Sequence, residues 1–129
     1  MDKFDELEYS HEGQRATTVH VSFHGDRLLI RESLTGAREE TRTEVTPSTQ
    51  QWKTFYRDIE SSRVWQWPRE CVLDSICLDG LFWSLKIRAG ERCHESSGCN
   101  AYPFTRKHMA SKEFAQFVNA VFVLAGLRR

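Results

Sequence analysis

The sequence lacks an imbalance of charge. Lysine and arginine total 18, aspartate and glutamate also total 18, and the formal net charge is zero. A dedicated nucleic-acid binder carries a basic excess; this chain has none overall, which leaves only a local basic patch for that role. Long-range steering of a charged partner is correspondingly weak. No apolar run approaches the roughly 18 residues that read as a membrane span. The first residues, Met1-Asp2-Lys3-Phe4-Asp5-Glu6, are acidic and have no apolar stretch of the kind a secretory signal carries. The expected compartment is therefore the cytoplasm, where Cys71, Cys77, Cys93 and Cys99 are expected as reduced thiols. No Gly-x-Gly-x-x-Gly, P-loop or Gly-x-Ser-x-Gly motif occurs. Asp74 and Asp79 are the only acidic residues of the second hairpin region. Asp79 is accounted for by a turn, so a pair of catalytic carboxylates is not indicated.

What is present suits one domain. A chain of 129 residues buries roughly two-thirds of its unfolded surface, enough for a core without a metal or disulfide. The sequence is 40% hydrophobic and 28% charged, as in ordinary globular proteins. Its aromatic fraction of 12% includes four Trp and eight Phe, which supply large buried area per residue.

Residues 1–16 are polar, with isolated Phe4, Leu7 and Tyr9, and read as a flexible N-terminal tail or a late-docking arm. Residues 17–129 are left as the folded domain. Val19, Val21 and Phe23 alternate with Thr18, His20 and Ser22, the pattern of a half-buried strand. His24-Gly25-Asp26 turns it into a return strand carrying Leu28, Leu29 and Ile30. Arg38 to Val45 alternates charge with threonine, as an edge strand does. Thr46-Pro47-Ser48 signals a helix start. Trp52, Phe55, Tyr56 and Ile59 then form one apolar stripe, ending near Ser61-Ser62. Val72 to Leu78 and Phe82 to Arg88 flank Asp79-Gly80, a strong hairpin signal. Ala89-Gly90-Glu91 turns into a further strand, and Gly98 to Pro103 is a loop. Ser111 caps a last helix that buries Phe114, Phe117, Val118, Val121, Phe122 and Ala125, and Gly126 stops it. The expected fold is α+β: a single domain, with an antiparallel sheet in β-β-β-α-β-β-β-α order and two helices packed on one face.

Several of these residues together resemble a widespread family of small, uncharacterised bacterial proteins. They are Trp52, Phe55, Val64-Trp65-Gln66-Trp67, Asp79-Gly80, Trp83, Leu85, Ile87, Gly98 and Asn100-Ala101-Tyr102-Pro103. Members carry a Trp-x-Trp segment, an Asp-Gly-x-x-Trp hairpin and a Gly-x-Asn-Ala-Tyr-Pro loop in that order. The match covers roughly residues 51–127. It departs at Cys71, where the family has an aromatic, and in a longer stretch from Phe104 to Ala110. The resemblance implies the fold and brings no established activity with it.

Three residue sets are candidates for a job. Asn100 and Tyr102, with Trp65, Trp67 and Arg69, offer polar and aromatic contacts to a partner from a loop and its surroundings. The competing account is structural: Gly98 takes a positive φ, Asn100 bonds nearby backbone, Tyr102 plugs the core and Pro103 stiffens the approach to the last helix. Cys93, His94 and Asn100 are the residues a thiol-dependent or hydrolytic enzyme would use, but neighbours on a strand point to opposite faces. The cysteine spacing also lacks the close pairs of structural zinc, so neither a metal nor a cofactor is expected. Arg63, Arg69 and Trp65 form the basic-aromatic interleave of a single-stranded nucleic-acid binder; with the charge balanced, arginine stems packed over core tryptophans are the favoured account. His20 and His24 lie about 13 Å apart on one strand face, too far to share a metal.

The expected function is a non-enzymatic protein-binding module, a small inhibitor or anti-defence or immunity-type protein of bacterial or phage origin. The expected partner is another protein, with no membrane involved; a nucleic acid is the disfavoured alternative, as is a thiol-dependent or hydrolytic activity. A homodimer through the edge-like strand Arg38 to Val45, or through a helix face, fits the same reading.

Overall fold

Alternating apolar and polar residues build one sheet, and two amphipathic helices cover one side of it. The computed structural model describes residues 4–12, 17–34, 39–72, 82–107 and 109–127. In chain order the elements are β1 (Phe4–Glu12), β2 (Thr17–His24), β3 (Arg27–Leu34), β4 (Thr41–Val45), α1 (Thr49–Ser62), β5 (Glu70–Cys71), β6 (Phe82–Ala89), β7 (Arg92–Cys99) and α2 (Lys112–Ala125). A single 3-10 turn, Val64–Gln66, follows α1. The strands lie side by side as β4-β3-β2-β1-β6-β7-β5. All pairings are antiparallel except that of the short β5 with β7.

The α+β reading holds, and one boundary changes. Residues 1–16, expected as a tail, contain β1 at the middle of the sheet, paired with β2 on one side and β6 on the other. Leu7 and Tyr9 are both fully buried. Four strands rather than three therefore precede α1. The Asp79-Gly80 turn lies outside the described residues.

Register places the core on one face. Tyr9 stands opposite Val21 and Leu85, Leu7 opposite Ile87, and Val21 opposite Ile30. Onto this face α2 brings Phe117 against Tyr9 (ring centroids 6.0 Å apart) and Phe114 against Trp83 (4.9 Å). From α1, Trp52 meets Phe23 edge-on at 5.3 Å. A fully buried large apolar or aromatic side chain contributes about 1.5–3 kcal/mol relative to exposure, so this aromatic layer carries much of the fold. Among the described residues no helix packs on the opposite face, which presents Glu8, Ser10, His20, Ser84, Lys86 and Glu95 around a shallow depression of about 480 Å³.

Local chemistry sets the ends of the elements. Ser48 caps α1 in a capping box with Gln51, two residues after the expected Thr46, and Pro47 is buried just before it. Ser111 caps α2 and Gly126 closes it in the left-handed region. Gly25 (φ 71°) and Gly90 (φ 63°) each open a two-residue hairpin whose second residue has negative φ. That is the type II′ arrangement, matched to the twist of the strands.

Candidate partner-binding site

The loop after β7 is wound around one indole. Trp83 is fully buried, and its Nε1–H donates to the Ala101 carbonyl at 2.9 Å. Gly98 sits beneath that contact. A Cβ there would collide with the Ala101 carbonyl and lie 2.8 Å from Trp83 Nε1. Gly98 is therefore needed for space, and the positive φ expected of it belongs instead to Asn100 (φ 52°). Asparagine tolerates that region better than most residues. Tyr102 then turns inward onto Phe114, ring centroids 4.8 Å apart, and burial pushes its phenol pKa up.

Of the residues singled out for a partner, two belong to the core. Trp67 is 2% exposed, and its Nε1–H donates to the Ser62 carbonyl at 2.8 Å. It packs edge-on against Trp83 and Phe117. Tyr102 is 8% exposed. Neither can act as an exposed anchor. Trp65 is half-buried beneath the guanidinium of Arg92, 4.0 Å from its ring centroid, and Arg92 is in turn held by Glu60 at 3.0 Å. Arg69 extends into solvent, 3.6 Å from Glu95. Asn100 is half-buried at the loop's turn.

What the loop does present is Phe104. This residue has φ 63°, a left-handed backbone that costs a bulky L-residue about 1–2 kcal/mol. Its ring is 43% exposed and lies 4.5 Å beneath the guanidinium of Arg63. Arg63 is itself the left-handed C-cap of α1 (φ 57°), a place glycine usually fills. Two left-handed residues, one at the end of α1 and one in the loop after β7, thus meet at the surface. Beside them lies an open depression of about 500 Å³ lined by Pro68, Cys71, Val72, Tyr102, Phe104 and Arg106, among others. Val72 on its wall is 71% exposed, as is Met109 farther along the loop. No pattern in the sequence marks Phe104, because phenylalanine gives no local signal for positive φ.

The other two residue sets disperse. Alternation along β7 sends Cys93, opposite Arg88, to the uncovered face and His94, opposite Ile87, to the core face. Asn100 lies beyond the far end of the same strand, about 23 Å along from Cys93 at 3.3 Å per residue. These three therefore form no nucleophile–base–orienter array. His94 has its Nε2 buried without a hydrogen-bond partner, and burial lowers its pKa. Burial raises the Cys71 thiol to about 11, so it is a poor nucleophile. Cys71 and Cys93 are free, whereas Cys99 is disulfide-bonded, which corrects its expected thiol state. Arg63 and Arg69 have separate neighbours, Phe104 and Glu95, and neither lies over Trp65. On β2, His20 accepts from Arg31 and His24 bonds Ser22.

Among the described residues no group of three or more His, Cys, Asp or Glu is placed to hold a metal ion, and no helix is long and apolar enough to cross a membrane. Set against models of known protein families and against curated proteins, the chain matches none.

Proposed function

We propose that this chain is a protein-binding module and that the rim formed by Phe104, Arg63 and Val72 is its contact surface. The observation that carries the reading is Phe104. A half-exposed aromatic held in a left-handed backbone conformation spends free energy that an asparagine or glycine would save. It stands beside an open depression walled by a more exposed valine. Aromatic and arginine side chains are enriched among interface anchors, and Phe104 under Arg63 presents one of each at the surface. The partner would lay an apolar side chain into the depression and cover the Phe104 ring. Within this reading the chain acts by occupying its partner, as an inhibitor or an immunity-type protein does, rather than by chemistry of its own.

The test uses two substitutions at one position. Phe104→Gly and Phe104→Asn both relieve the left-handed backbone and both remove the ring. The relieved strain, about 1–2 kcal/mol, offsets the lost cation–π contact, about 0.5–1 kcal/mol, and the lost partial burial of the ring. Stability should stay within about 1 kcal/mol of the parent. Tagged parent and variant proteins would be compared for stoichiometric capture of a partner from host lysate. A partner held by the parent and lost by both folded variants supports the reading. Equal capture by all three removes Phe104 from the interface.

A further inference from the structure

We infer that β4 pairs with β4 of a second copy, in one antiparallel register centred on Thr43. Among the described residues β4 is the outermost strand of the sheet, bonded on one side only, to β3. Its residues Thr41 to Glu44 are all exposed, so one row of backbone groups faces outward. Such an edge accepts another strand unless its side chains forbid it. Here they forbid all but one arrangement.

A two-fold axis that joins two such edges antiparallel stands perpendicular to the sheet, and paired residues then share a face. Three registers keep most of the strand. Centred on Arg42, the pairing sets Arg42 against Arg42 and Glu40 against Glu44 twice. Centred on Glu44, it sets Glu44 against Glu44. Centred on Thr43, it sets Arg42 against the partner's Glu44 and Glu44 against the partner's Arg42, with Thr43 facing its own copy. Like charges directly opposite destabilise a strand pair and opposite charges stabilise it, so only the last register is complementary. This one is permitted whichever alternate residues of β4 point their N–H and C=O outward.

The strand's own neighbours favour the same outcome. Within the chain Arg42 stands directly opposite Arg31 on β3, and Arg31 spends its guanidinium on the ring nitrogen of His20. Among the described residues Arg42 reaches only Glu40, at 2.9 Å, and stays 70% exposed. Glu44, 59% exposed, is 3.1 Å from Arg27. The partner's Glu44 would add an anion to this row of cations, beside Glu40 at Arg42 and Glu8 at His20. The resulting sheet would run through both copies with the uncovered faces on one side. A five-residue pairing buries little surface, so the dimer is weak and reversible.

Sedimentation from about 1 to about 500 µM spans that affinity range. The parent should dimerise with concentration. Arg42→Glu alone and Glu44→Arg alone each place like charges opposite one another twice, and should weaken the dimer at least about tenfold. Mixing these two variants restores both opposite-charge pairs and should give a heterodimer, and the double variant should dimerise as the parent does. In a Cys93→Ser background, Thr43→Cys should cross-link under oxidation, because directly opposed strand positions fall within disulfide reach. A parent that stays monomeric throughout would overturn the inference. So would a dimer indifferent to both charge reversals, or one in which Thr43→Cys does not cross-link. All four positions are exposed, and circular dichroism would check that each variant keeps its fold.

Discussion

At the scale of single residues, the loop from Gly98 to Phe104 shows why residue type is an incomplete guide to role. Gly98, Asn100 and Pro103 are turn residues, and that much was legible. Their division of labour was not, because it depends on Trp83, which comes from another strand and puts its indole inside the loop. Gly98 is needed because backbone and a buried ring lie where its side chain would be. Neither neighbour is the free end of a flexible chain, so neither can yield cheaply. Gly98→Ala should therefore cost about 2–3 kcal/mol, from overpacking together with a strained or broken Trp83–Ala101 hydrogen bond. Chemical denaturation would measure it. A loss under about 0.5 kcal/mol, the size of an ordinary surface change, would show that the loop can shift away from the indole. Phe104 is a like case: its positive φ and its exposure are not written in the residue itself.

At the scale of elements, what was legible was local. Helix caps, hairpin glycines and apolar stripes lie within a few residues of the structure they cause. That is why α2 and the β2–β3 hairpin were read close to their true bounds, whereas the strand after Gly90, expected to stop short of a loop starting at Gly98, runs on to Cys99. β1 was missed for the opposite reason. It has two core-facing apolar residues, Leu7 and Tyr9, set among Glu6, Glu8, Ser10 and His11, and that density looks like a solvated tail. The strand exists because β2 and β6 bond it from both sides, and those partners are distant in sequence. Tyr9 adds a hydroxyl bonded to His11 Nδ1 at 3.0 Å. If β1 were a dispensable arm, deleting residues 1–12 would leave the melting transition in place. As a central strand its loss exposes both Leu7 and Tyr9 contacts and unpairs two neighbours. The truncated chain should show no cooperative unfolding, with near-ultraviolet circular dichroism collapsed at room temperature. A retained transition within a few degrees of the parent would return β1 to the status of a tail.

At the scale of the whole molecule, the sheet's two faces each hold a histidine that resists protonation. His94 sits on the core face, where burial lowers its pKa and Arg69 lowers it further, against the pull of the Trp67 backbone and Glu95. His20 lies on the uncovered face, lowered by burial and by Arg31, with Glu8 and Glu40 opposing and His24 adding to the drop. In both, the folded pKa is below the unfolded value of about 6.5. The unfolded chain therefore binds more protons over the interval between the two values, and stability rises with pH there. Read downward, both contributions are intact above about pH 6.5 and are lost as pH falls through the folded pKa values. Stability should fall between pH 7.5 and pH 5.5 by an amount the two histidines share. Urea midpoints at those two pH values would show it. His20→Asn with His94→Gln should flatten that dependence, while either change alone flattens it in part, because the two rings share no contact and their effects add. An unchanged slope in the double variant would assign the dependence to other groups. A slope abolished by His94→Gln alone would place it entirely in the core-face ring, whose unpartnered Nε2 would then be the site where acid first opens this fold.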